Sequence, residues 1–420
     1  MTTPNPSQNP QSTGRPLLTA AWAAVAVLWL VGGSNYLTRM MLTTMRGSIL
    51  EEIPMSDAQF GLLTSGFLWV YAFASPFAGF VADRFSRRRV VIISLCAWSI
   101  ITWLTSYART FEQFLVLRIL LGLSQACYIP AALALIVDYH RGPTRSLAVG
   151  LHATGLIAGA ALCGVGGWLA AESGWSHAYL LIGLPSLALG GLLWLTLREP
   201  HREGAGAAPA RLVDAWRSLA RPGAFYAMMA CVAVQGAVSW TIIGWMPTQM
   251  REQFSLGQGA AGFSVLGFLY VAQIVALLAG GHWTDRLSHR HPRARIFIPA
   301  IAIACAVPAF WLTGWSPMIG FTLASLSFWG LAMGFLGANM MPIICLVVDS
   351  RYRATAMGVL NLFAAVSGGL AVYVIGALRD AQFGFNLILT AAGFGAALCA
   401  SLLWVVNILT QKQSVNPRGA

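Results

Sequence analysis

Twelve apolar stretches, each long enough to cross a bilayer, constrain this chain more than anything else in it. They fall near 18–45, 58–82, 89–107, 113–137, 145–171, 177–197, 223–250, 259–284, 296–313, 317–347, 354–378 and 385–409. A spanning helix needs about 20 consecutive apolar residues, a spanning strand only about 10. In hydrocarbon every backbone N–H and C=O must be satisfied inside the protein, and a helix does this by itself. The fold expected is an all-α membrane protein of twelve transmembrane helices. The chain is 57% hydrophobic and 10% charged, where a soluble domain carries about 25% charged residues. That supply cannot coat a water-facing surface.

The net charge of +12 would suit nucleic acid, but its placement does not. Of the 26 Lys and Arg residues, about twenty sit in one alternating set of loops and in the two tails, the pattern that holds loops in the cytoplasm. The clusters are 84–89, 141–145, 198–221, 286–295 and 351–353, whereas the other loops hold Arg46, Arg109, Arg251 and Arg379. Both termini and the basic loops are therefore expected in the cytoplasm, with the chain in the cytoplasmic (inner) membrane. No base-reading motif appears. Residues 1–16 and 411–420 read as cytoplasmic tails, the first disordered and without the pattern of a signal peptide. Cys96, Cys127, Cys163, Cys231, Cys305, Cys345 and Cys399 lie in apolar segments without CxxC spacing, so they read as packing residues.

The longest polar interval, 198–222, divides the spans into two sets of six, at 17–197 and 223–410. The halves echo each other. Gly79-Phe80-Val81-Ala82-Asp83-Arg84-Phe85-Ser86-Arg87-Arg88-Arg89 joins the second span to the third. A weaker copy, Gly281-His282-Trp283-Thr284-Asp285-Arg286-Leu287-Ser288-His289-Arg290, joins the eighth to the ninth. Val137-Asp138 and Val348-Asp349 each precede a basic loop and a Gly-rich span. Two pseudo-symmetric six-helix bundles are a transporter architecture. Gly155, Gly159, Gly164, Gly166 and Gly167 read as points of close helix approach.

Twelve spans, a cytoplasmic central loop and the 79–89 motif together resemble the major facilitator superfamily from about residue 17 to 410. Gly79, Asp83, Arg84, Arg87, Arg88 and Arg89 match that family's loop pattern, with Ser86 in place of its second glycine. Asn35-Tyr36-Leu37-Thr38-Arg39 resembles the first-helix region of organic-anion, sugar-acid and organophosphate transporters. Arg118, Gly122, Gln125, Ala126 and Pro130 resemble the fourth helix of anion–cation symporters and spinster-like transporters. Where those relatives carry acids linked to proton coupling, this chain has Thr38 and Gln125. The resemblance implies that Asp83 meets the start of the eleventh helix near Arg353, closing the cytoplasmic side. By pseudo-symmetry Asp285, beside Arg286, would meet the start of the fifth helix near Arg145.

All fourteen acids fall in loops or at span ends, so Arg39 and Arg118 are the fixed charges within spans. Placing an Arg at the bilayer centre costs from about 2.5 kcal/mol to well over 10. With no carboxylate at that depth, the expected counter-charge is an anionic ligand, which a guanidinium fork binds well. Asn35 and Tyr36 share a helix face with Arg39, and Gln125 lies two turns after Arg118. Gln235 and Ser239 share a face in the seventh span, and Asn339 is the clearest polar residue of the tenth. The resemblance puts these helices around a central cavity. His152 is the mid-span histidine, read either as packing or as a proton relay. Trp69, Tyr71, Trp240 and Tyr270 read as interface anchors or as flanks of a ligand.

The function expected is alternating-access transport of a small organic anion, with a proton or counter-anion as coupling ion, by a monomer without cofactor. A lipid or drug exporter and a transport-inactive solute receptor stay open. No nucleotide-binding loop, nucleophile elbow or zinc-ligand spacing supports a pump or an enzyme.

Overall fold

The computed structural model describes residues 14–140, 144–197, 199, 218–219, 222–291, 293–316, 318–349 and 352–415. The tail 1–13, most of the 198–222 interval, and 416–420 lie outside the described residues. Twelve helical spans follow in order: α1 Ala20–Thr44, α2 Asp57–Ala82, α3 Arg87–Thr105, α4 Phe111–Tyr139, α5 Arg145–Ser173, α6 Trp175–Thr196, α7 Gly223–Phe254, α8 Gln258–Ser288, α9 Ala294–Thr313, α10 Ile319–Val347, α11 Arg353–Asp380 and α12 Phe385–Gln411. Each matches an apolar stretch read from the sequence to within a few residues. Polar residues set several starts. Ser56 and Gln59 form a capping box at α2, and Thr110 caps α4 through the Gln113 amide. Each satisfies N–H groups that have no partner within the helix.

The halves repeat one packing scheme. In the first, α1 packs on α5, α2 on α4 and α3 on α6; in the second, α7 packs on α11, α8 on α10 and α9 on α12. Glycines mark the equivalent contacts. A Cβ at Gly122 would lie 2.6 Å from the Phe67 carbonyl of α2, and one at Gly334 would meet the Gln273 carbonyl of α8. Gly159 rests on the Gly33 carbonyl of α1, and Gly236 on the Ala364 carbonyl of α11. Such small-residue faces let backbones touch where lipid supplies no hydrophobic drive.

The bundles meet where α2 packs on α11 and where α5 packs on α8. These seams are tight at one end and parted at the other. Gly61 and Gly79 lie eighteen residues apart on α2, as do Gly358 and Gly376 on α11. Eighteen residues make five turns, so each pair shares a face. A Cβ at Gly61 would sit 2.8 Å from the Val372 carbonyl, and Gly376 abuts the Asp57 carbonyl. At Gly79 and Gly358 nothing described lies within 4 Å. The α5–α8 seam behaves alike. Gly164 abuts Phe263 and Gly167 the Gln258 carbonyl, whereas Gly150 and Gly281 face open space among the described residues. The open end is the end that carries the 79–89 motif.

Candidate functional site

Arg39 ends the regular helix of α1, before the tighter turn Met41–Thr44. Arg39 is 5% exposed and every described hydrogen-bond partner of its guanidinium is neutral. Nε donates to Gln125 Oε1 at 3.3 Å and Nη2 to Asn35 Oδ1 at 3.4 Å. Its cationic carbon lies 4.6 Å from the Tyr36 ring, 5.0 Å from Phe67 and 4.3 Å from Tyr71. Those π faces attract the cation, each by about 0.5–2 kcal/mol, but they leave its charge uncancelled.

Gln125 is fixed by both ends of its amide. Its Nε2 donates to Thr38 Oγ1 at 3.0 Å and to the Asn35 carbonyl at 3.3 Å, which turns Oε1 toward Arg39. Arg118 lies deeper, 2% exposed. It donates to the Leu63 carbonyl at 3.4 Å and to the Arg39 carbonyl at 3.3 Å, and its cationic carbon is 4.9 Å from the same Phe67 ring. Arg39 and Arg118 are the buried charges among the described residues, and no described carboxylate pairs with either. Asn35 Nδ2 and Arg118 Nη1 are buried donors without a described acceptor.

The second half contributes neutral groups. Gln235 Nε2 donates to Ser239 Oγ at 3.0 Å and approaches Met333 Sδ at 3.1 Å; Trp329 Nε1 donates to Ser239 at 3.2 Å. Trp240 packs against core residues of both halves. Asn339 turns away from this group, donating to Thr284 Oγ1 of α8 at 3.3 Å and to the Phe335 carbonyl at 2.8 Å. His152 is buried edge-on against Tyr128, with ring centroids 5.9 Å apart, away from Arg39's partners. Trp69 donates to the Val366 carbonyl across the α2–α11 seam at 3.1 Å. The structure thus brings Arg39, Asn35, Tyr36, Gln125 and Arg118 together, with Gln235 and Ser239 in a second group. Phe67, shared by both guanidinia, went unnoticed in the sequence because an apolar residue in an apolar helix carries no signal.

At the open end the motif braces its own half. Ser86 caps α3 and, with the Arg87 amide, meets Glu199. Arg87 pairs with Asp138 of α4; Arg88 donates to the Trp194 carbonyl at 2.6 Å and lies over its ring. The Asp83 side chain lies outside the described residues, and Arg84 is exposed. Arg353 donates to the Cys345 and Val348 carbonyls, finishing α10. Asp285 pairs with Arg295 at 3.0 Å, while Arg145 and Arg286 are exposed.

The closed end holds a charge network that the sequence reading missed. Asp57, at the start of α2, pairs with Arg46 and, at 3.0 Å, with Arg379 of α11. Arg379 also grips both oxygens of Glu252 on α7, at 2.8 and 2.9 Å. Asp380 accepts from the Asp57 and Ala58 amides at 2.8 and 2.9 Å, capping α2 from the other half. Helix-terminal acids on the two paired spans were the available signal. A cavity of about 270 Å³ lies beside this network, lined by Thr44, Arg46, Arg251 and Gln258 among others, away from Arg39.

The Major Facilitator Superfamily model matches residues 28–372 and 228–420. An MFS-type efflux pump of Mycolicibacterium smegmatis is 30% identical over 368 residues, covering 86% of this chain and 85% of that protein. A hexuronate transporter of Bacillus subtilis is 22% identical over 392 residues, covering 90% and 92%. Among solved structures, a bacterial homolog of the human lysosomal transporter Spinster, inward-facing and unoccupied, superposes with a TM-score of 0.75. It is 21% identical and the match covers 95% of this chain and 97% of that one. With a family match running from residue 28 to residue 420 and a relative 30% identical along most of its length, the chain belongs to the Major Facilitator Superfamily of membrane transporters.

Proposed function

We propose that this transporter carries a small organic anion, a sugar acid, other carboxylate or organophosphate, across the cytoplasmic membrane by alternating access. One observation carries the reading: Arg39 is buried among neutral partners with no carboxylate beside it. A guanidinium in that setting is stable when an anion meets it, and its fork of donors suits carboxylate or phosphate oxygens. Arg39 holds the anionic group, with Asn35, Tyr36 and Gln125 around it. Arg118 adds positive potential from behind and ties α4 to α1 and α2. Gln235 and Ser239 face the neutral part of the substrate. The hexuronate transporter among its relatives supports an acidic substrate.

The two bundles, 17–197 and 223–410, are the moving bodies, joined by the 198–222 link. Basic loops put the motif end and both termini in the cytoplasm, so the described conformation opens inward and is latched outside by Asp57, Arg379 and Glu252. Asp83, by meeting the start of α11, closes the inner side in the opposite state. A thermal-shift screen of the purified protein tests the substrate class. Organic anions should raise its unfolding temperature, and Arg39→Gln should abolish that rise. Stabilisation by neutral lipids or cationic drugs, and by no anion, would reverse the reading.

The efflux pump relative favours a second reading, in which the same Arg39 site serves export of its substrate. Cells expressing the chain would then accumulate less of a stabilising anion than cells without it.

A further inference from the structure

We propose that the chain is an obligate anion exchanger: its barrel reorients only with an anion on Arg39, so each anion carried one way requires another carried back. This rests on the anion reading of Arg39 given above. Alternating access passes through a state shut at both ends, in which Arg39 is cut off from water. A monoanion offsets the charge of Arg39 in that state and leaves only that of Arg118. Without one, Arg39, already only 5% exposed in the described state, loses its last water with no counter-charge gained, and stripping solvent from an unpaired charge is unfavourable. Arg118 worsens it, since both guanidinia lie about 5 Å from the one Phe67 ring.

Among the described residues nothing around Arg39 takes the anion's place. Gln125 Oε1 and Asn35 Oδ1 are amide oxygens. Thr38 gives its hydroxyl hydrogen back to the Ser34 and Asn35 carbonyls. Arg39 lies over the Tyr36 and Tyr71 rings, and Tyr270 and Tyr179 are buried on α8 and α6; phenols are neutral near pH 7. Protonation of buried His152 could only add positive charge. A carboxylate at position 125 would act as a resident counter-ion and let the unloaded barrel return. The amide keeps the same hydrogen bond to Arg39 and removes that option. The partner implied is a second anion on the far side of the membrane, a carboxylate or phosphate small enough for the same site.

The experiment uses the full chain in proteoliposomes with the membrane potential clamped. Labelled glucuronate, benzoate and inorganic phosphate are supplied outside, and the lumen holds either the same anion or a chloride-free neutral osmolyte. Uptake into anion-loaded vesicles should exceed uptake into unloaded ones by at least about tenfold, a barrier difference of about 1.4 kcal/mol. Gln125→Glu should bring the two rates together by raising net uptake into unloaded vesicles. Thr38→Asp, which sets a carboxylate against the same pair, serves if the first variant does not assemble. Equal wild-type uptake into both vesicle types would overturn exchange while leaving the anion reading intact. Carboxylate variants that still demand a lumenal anion would overturn the counter-ion account. Absence of exchange with all three anions would overturn the anion reading and exchange with it.

Discussion

Arg39 uses properties that a lysine lacks. Its planar fork donates to Gln125 and Asn35 while its cationic carbon lies over three rings, and an ammonium, a compact point charge, does not reach all of these at once. Arg39→Lys should therefore keep the charge and still weaken anion binding by about 10- to 100-fold, the worth of one charge-assisted hydrogen bond of about 1.5–3 kcal/mol. Titration of a stabilising anion by calorimetry checks this, and unchanged affinity would show that charge alone is recognised. The Asn35, Tyr36 and Arg39 group was legible because helical spacing puts all three on one face. The direction of Asn339 was not, since either side of α10 was open to it until Thr284 and the Phe335 carbonyl were placed.

Single spans are kept in register by two devices, helix caps and glycine contacts. Asp380 caps α2 although it belongs to α11, more than 300 residues away in sequence. A carboxylate on unsatisfied amides at a helix start is worth about 1 kcal/mol, and here that energy favours one state of the seam. Asp380→Asn should leave folding intact and move the population several-fold toward the state open at the Asp380 end and shut at the motif end, read by spin-label distances across the α2–α11 ends. Gly159 and Gly236 do equivalent work within each half, against the carbonyls of Gly33 and Ala364. Gly159→Ala and Gly236→Ala should each lower stability by about 1–3 kcal/mol through overpacking, seen as earlier thermal unfolding in detergent. The glycines were visible in the sequence, but their partners were not, because composition does not say which helix lies opposite.

The whole molecule is two bundles whose seams are closed at one end and parted at the other. In the latch Asp57 and Arg379 are part-buried and Glu252 is exposed; as a network of charges it exceeds an isolated surface pair, which is worth about 0–1 kcal/mol. A cysteine at Gly79, where nothing described lies within 4 Å, should react readily with a maleimide. Adding Arg379→Gln should slow that labelling, because freeing the closed end lets the motif end shut. Labelling that stays equally fast would show that the latch does not set the resting state.

Sequence by itself determined the twelve spans, their division into two related halves, the charge asymmetry of the loops and the isolation of Arg39 and Arg118 from any acid. Those follow from apolar length, from charge counting and from helical periodicity, all of which are local. Tertiary structure alone decided that Arg118 sits behind Arg39 on the same phenylalanine, that Gln125 turns its oxygen to Arg39, and that the motif end is the open one. Each depends on which faces of distant helices meet, and in a chain of uniformly apolar helices that choice rests on shape, which leaves little trace in the order of residues.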